Sequence, residues 1–113
     1  MRLQIRGKNV EVSDAVRAYA EEKLAKLDRQ LADPVRVELE LTVEKNPSIA
    51  DSHVAEATIF TKGPTLRARE ASRDMKASID LLVDKLERQV KRYREQRRIE
   101  PRRHAAHDNA SSS

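Results

Sequence analysis

Hydrophobic and polar positions alternate most regularly between Val35 and Glu44. Val35, Val37, Leu39, Leu41 and Val43 are separated by Arg36, Glu38, Glu40, Thr42 and Glu44. A period of two over that length predicts a long strand with one apolar and one wet face. The same alternation predicts a short strand over Arg2–Arg6, with Leu3 and Ile5 inward, before Gly7 and Asn9 interrupt it. It predicts another over Val54–Lys62, with Ala55, Ala57 and Ile59 on one face and Glu56, Thr58, Phe60 and Lys62 on the other. A last strand follows at Thr65–Glu70, with Leu66 and Ala68 inward and Arg67 and Arg69 outward. Lys45-Asn46-Pro47-Ser48 and Gly63-Pro64 read as turns.

Two segments change to a helical period. Ser13 has the character of an N-cap, and beyond it Val16, Tyr19/Ala20, Leu24, Leu27 and Leu31 recur at three and four. This helix is expected to end at Asp33-Pro34, because proline disfavours helix in the residue before it. Ser72 or a neighbour caps a second, longer helix whose apolar stripe is Met75, Ile79, Leu82/Val83, Leu86, Val90 and Tyr93. Pro101 is expected to stop it, leaving residues 99–113 as a basic and polar tail, disordered or the start of a linker. The first β-α-β unit makes its two strands parallel neighbours, and the remaining strands form an antiparallel meander. Every strand has one apolar face. The expected fold class is therefore α+β: a two-layer β-α-β-β-β-α sandwich, with both helices on one face of a four-stranded mixed sheet and the other face open to water.

Composition narrows the function. The 113 residues include no Cys, no Trp, two Gly and three aromatics. That excludes a disulfide framework, a cysteine-rich zinc site and a thiol nucleophile. Neither a glycine-rich phosphate loop nor a G-x-S-x-G turn is present. The start shows no signal-peptide pattern and no apolar run approaches a membrane span, so a cytoplasmic protein is expected. The net charge of +4 is unevenly placed. Residues 1–84 hold 14 basic and 15 acidic side chains, whereas residues 85–103 hold nine and three. A local basic excess points to a polyanion.

Glu38, Glu40 and Glu44 share a wet strand face without a pocket, and pairing of Arg2 and Arg6 with Glu38 and Glu40 across the sheet is expected instead of catalysis. His53 falls in a loop and His104-x-x-His107 in the polar tail, so no metal site or cofactor is expected and the chain reads as a non-enzyme. The open sheet has Phe60 as its one aromatic, too few for base stacking. The helices carry Lys23, Lys26 and Arg29 on the first and Lys85, Arg88, Lys91 and Arg92 on the second, each set at helical spacing on one flank. Side by side, these ladders would merge into a basic strip suited to phosphates. Generic binding of structured RNA, and protein interaction through the open sheet, are the competing readings.

Val54 to Pro64 (VAEATIFTKGP), Asp74-Met75, Ala77–Asp80, Asp84–Val90, Ile5–Asn9 and Leu24–Leu27 together resemble the ribosome hibernation-promoting factors, the ribosome-associated translation inhibitors also called protein Y. The resemblance spans residues 1–98 in order, and implies a ribosome-binding domain over that range. It implies the same β-α-β-β-β-α fold, akin to the double-stranded RNA-binding domain. It also implies a partner, the small (30S) ribosomal subunit, bound in the mRNA/tRNA channel. Contacts to 16S rRNA would come from Lys23, Lys26, Arg29, Lys85, Arg88, Lys91 and Arg92. Translation would be inhibited by steric occlusion under stress. The sequence is most similar to the N-terminal domain of the long members, which carry a second domain that pairs two ribosomes; here that step would be absent, or need a second copy or another factor. Where such proteins commonly have Asp-Met-Tyr, this chain has Asp74-Met75-Lys76, so an aromatic contact is not carried over to position 76.

Overall fold

The computed structural model describes residues 1–31, 35–46 and 48–107, with side chains through 96. The chain forms β1 (Arg2–Lys8), α1 (Asp14–Gln30), β2 (Arg36–Val43), β3 (His53–Phe60), β4 (Thr65–Ser72) and α2 (Met75–His107). The sheet order is β1-β2-β3-β4. β1 runs parallel to β2, and the other neighbours are antiparallel. This is the expected α+β order.

The register explains why the alternation is so regular. Leu3, Val37, Ile59 and Leu66 lie in one cross-strand row, and Ile5, Leu39, Ala57 and Ala68 in the next. Because side chains alternate across a strand, these rows face the same way. They pack against Ala20, Leu24 and Leu27 of α1 and Ile79, Leu82, Leu86 and Val90 of α2 in one core. Both helices therefore cover one face. Leu86 is fully buried, so truncating it to alanine costs about 2–5 kcal/mol.

Each helix start has a cap. The Ser13 side chain accepts from the Val16 N–H at 3.2 Å. Asp74, rather than Ser72, caps α2: its Oδ2 accepts from the Ala77 N–H at 3.1 Å. Ser72 ends β4 instead, with its hydroxyl 2.7 Å from that of buried Ser78. Ser78 donates to the His53 carbonyl at 2.6 Å, fastening the first turn of α2 to β3.

Element ends differ from expectation in several places, including β4, which continues past Glu70 to Ser72. β1 continues through Gly7 to Lys8. Glycine is needed there because a Cβ would collide with the Val10 carbonyl oxygen, and the chain turns at Asn9 with φ 62°. His53 is the first residue of β3, not a loop residue, and β3 ends at Phe60. Helix α1 ends at Gln30, before Asp33-Pro34, which lie outside the described residues. Helix α2 passes Pro101 and runs to His107. Proline's fixed φ is compatible with helix, and its cost is one backbone hydrogen bond and a local clash; residues 108–113 lie outside the described ones.

Candidate nucleic-acid interface

The two helices lie side by side and run in the same direction. Tyr19 near the start of α1 meets Asp80 near the start of α2, and Gln30 at the end of α1 shares a groove with Arg88, Lys91 and Arg94. The upper junction is a polar knot. The Tyr19 hydroxyl donates to Asp80 Oδ1 at 2.6 Å. Lys23 Nζ sits 3.8 Å from the same oxygen. The ammonium groups of Lys23 and Lys76 lie 5.3 and 5.4 Å from the centre of the Tyr19 ring, within cation–π range. The hydrogen bond to Asp80, followed by desolvation, pushes the Tyr19 phenol up to about 12. Lys76 thus acts within this cluster, a role that spacing along the chain does not assign to it.

The seven cations singled out from sequence fall into two groups. Lys26, Arg29, Arg88, Lys91 and Arg92 are exposed and form no ion pair among the described residues. Lys23 is held by Asp80, and Lys85 lies 3.3 Å from Glu70 of β4. The expected single flank on α2 is corrected. Lys85 turns toward β4, where Gln89 also donates to the Arg67 carbonyl at 2.8 Å. Arg88 and Lys91 turn toward α1 and line the groove with Gln30. The reason is angular: residues 85 and 91 are six apart, which at 3.6 residues per turn sets them about 120° from alignment. Arg92, seven residues on, returns to within about 20° of Lys85, so the cationic surface of α2 spans an arc of about 120°.

Four members of that groove, Gln30, Asp84, Glu87 and Arg94, are not among the sequence candidates. Arg94 continues the Lys91 spacing by three, a signal that was available. Asp84 and Glu87 also line it; helical spacing marks Asp84 as an i,i+4 partner for Arg88, a pair that does not form among the described residues, and gives Glu87 no role.

The open face of the sheet is differently built. Arg6 Nε lies 3.6 Å from Glu40, as expected across β1 and β2. Glu38 instead pairs with Arg36 of its own strand at 3.2 Å, because the register sets Gln4, not Arg2, opposite Glu38. The Arg36 guanidinium lies 4.1 Å from the centre of the Phe60 ring. The one aromatic on this face is therefore already covered. No cluster of three metal-ligating side chains occurs among the described residues, and none of their helices is long and apolar enough to cross a membrane.

An α+β sandwich with a cationic helical layer on one side and a charge-paired sheet on the other is the class these features define. The chain belongs to the Sigma 54 modulation protein / S30EA ribosomal protein family, whose model matches residues 3–98. It is 41% identical over 106 residues to a ribosome hibernation promotion factor of Lactococcus lactis subsp. cremoris, covering 90% of this chain and 54% of that protein. It is 38% identical to one from Picosynechococcus, covering 84% and 50%. The chain thus spans about half the length of the curated relatives it matches. Among solved structures it resembles the Thermus thermophilus Protein Y N-terminal domain, with TM-score 0.72 and 35% identity over 82% of this chain and 99% of that one. It also resembles a ribosomal subunit interface protein from Coxiella burnetii, with TM-score 0.70 and 27% identity over 84% and 99%.

Proposed function

We propose that this chain is a non-enzymatic ribosome hibernation factor of the cytoplasm. Residues 1–98 form the ribosome-binding unit. It seats its helical layer against 16S rRNA in the mRNA/tRNA channel of the small subunit and inhibits translation by occupying that space. The observation that carries this reading is the band of exposed cations across both helices, without ion-pair partners among the described residues, in a chain whose relatives are named for ribosome hibernation. Phosphates are the natural ligand of such a band, since these cations have no internal carboxylate to give up. Lys23 and Lys85 contribute less, because Asp80 and Glu70 compete for them.

Co-sedimentation with ribosomal subunits across a salt series, with a translation readout, tests this. Wild type is expected to sediment with the small subunit, inhibit translation and dissociate steeply with salt, as released counterions require. Replacing Arg88, Lys91 and Arg92 with Glu should abolish both effects while leaving the circular dichroism spectrum unchanged. Undiminished sedimentation of that variant at moderate salt would refute the helical interface. Equal affinity for free RNA duplexes and for subunits would favour a generic RNA module instead.

A further inference from the structure

The groove between the end of α1 and α2, about 530 Å³ in volume, is lined by Gln30, Asp84, Glu87, Arg88, Lys91 and Arg94. Its mixed character is at odds with a surface that only neutralises phosphates. Two carboxylates stand beside three cations, yet none of these side chains forms an ion pair or hydrogen bond among the described residues. Elsewhere on the molecule nearby opposite charges do close, as Lys85 does with Glu70 and Arg6 with Glu40. The groove therefore presents donors and acceptors together, none of them tied to a protein partner among the described residues.

A phosphodiester can use only the donors. Asp84 and Glu87 would repel it, and favour instead a ligand that presents N–H or O–H donors. An unpaired nucleotide supplies both requirements: an anionic phosphate at one end and a base edge at the other. Proteins read RNA in this way, taking unstacked bases by their Watson–Crick edges. Among the bases, guanine presents two adjacent donors, N1–H and N2–H2, which match the two oxygens of one carboxylate. Uracil offers one N–H flanked by carbonyls that a carboxylate repels, and adenine offers a single amino group beside an acceptor nitrogen.

Resting on the rRNA reading above, we propose that this groove is a base-reading pocket for one unpaired guanine. Its phosphate lies against Arg88 and Lys91, and its Watson–Crick edge is accepted by Glu87 or Asp84. These carboxylates determine specificity, whereas the surrounding cations supply affinity.

The test uses the full chain and fluorescent RNA hairpins that differ only in one bulged nucleotide: guanine, inosine, adenine, cytosine or uracil. Wild type is expected to prefer guanine over adenine and uracil by about tenfold, within the range for a well-made bidentate base contact. Inosine, lacking the N2 amino group, should fall between. Glu87→Gln and Asp84→Asn are near-isosteric changes at the surface. One of them should bring the preference to within twofold of unity with an unchanged salt slope. Equal binding of all five hairpins by wild type would overturn the proposal. So would a uniform gain in affinity for every hairpin in both variants, which would show that the carboxylates merely repel phosphate. Sedimentation of wild type with the small subunit is scored in parallel. Its loss would refute the ribosome reading, whereas its retention without guanine preference would refute the groove alone.

Discussion

Tyr19 shows what a single residue contributes that spacing does not reveal. Its position in the α1 stripe marks it for the core, yet it is only half-buried, and its hydroxyl reaches Asp80 of the other helix. The protonated phenol is the donor in that bond, so folding favours protonation and the pKa rises from 10.0 to about 12. The bond's contribution is therefore fully present below pH 10 and disappears as pH climbs through about 12. Ultraviolet titration of phenolate should show Tyr19 ionising near 12 in the wild type, and Asp80→Asn should bring its midpoint down toward 10. An unshifted midpoint in that variant would mean that Asp80 is not the cause. The substitution also frees Lys23, so it adds one available cation to the helical layer. Lys76 belongs here too. From sequence it reads as a charge where an aromatic is common, but a lysine over the Tyr19 ring retains an aromatic partner at the same junction.

At the scale of elements, the alternating pattern is enough to predict every strand, because each has one buried face and the register keeps those faces aligned. Ends are harder to read. β1 runs through Gly7 because a close approach to Val10, not a break in the strand, demands glycine there. Asp74 rather than Ser72 caps α2 because Ser72 is drawn toward Ser78 and the end of β4. These contacts join residues only three to six apart, but they turn on backbone geometry and leave no mark in hydrophobic periodicity. A cap is legible where one capping residue stands directly before the apolar stripe, and Ser13 is the example. Ser13→Ala leaves the Val16 N–H without its side-chain acceptor, and should destabilise the protein by about 1 kcal/mol in a denaturant titration. A change well below that, about 0.3 kcal/mol or less, would show that water replaces the hydroxyl there.

For the whole molecule, what matters is where the charge lies rather than how much there is. The basic excess is legible in the sequence as belonging to α2 and its extension, and the structure shows why only part of it is available. Glu70 and Asp80 engage two of the seven cations, and the open sheet pairs Arg6 and Arg36 with its own carboxylates. Two double reversals separate location from amount. Lys26→Glu with Arg88→Glu, and Arg67→Glu with Arg69→Glu, each take the net charge from +4 to zero. The first pair sits on the helical layer and the second points outward from β4 on the sheet side. Long-range attraction would fall equally in both. Direct phosphate binding predicts a different result. The helical pair should weaken co-sedimentation with the small subunit strongly and reduce the salt slope by about 0.7–0.9 for each phosphate that is no longer neutralised. The sheet pair should leave the slope unchanged and the affinity within about threefold at 0.15 M salt, where exposed charges more than about 8 Å apart are screened. Equal weakening in the two variants would remove the helical face from its assigned role and leave net charge as the explanation.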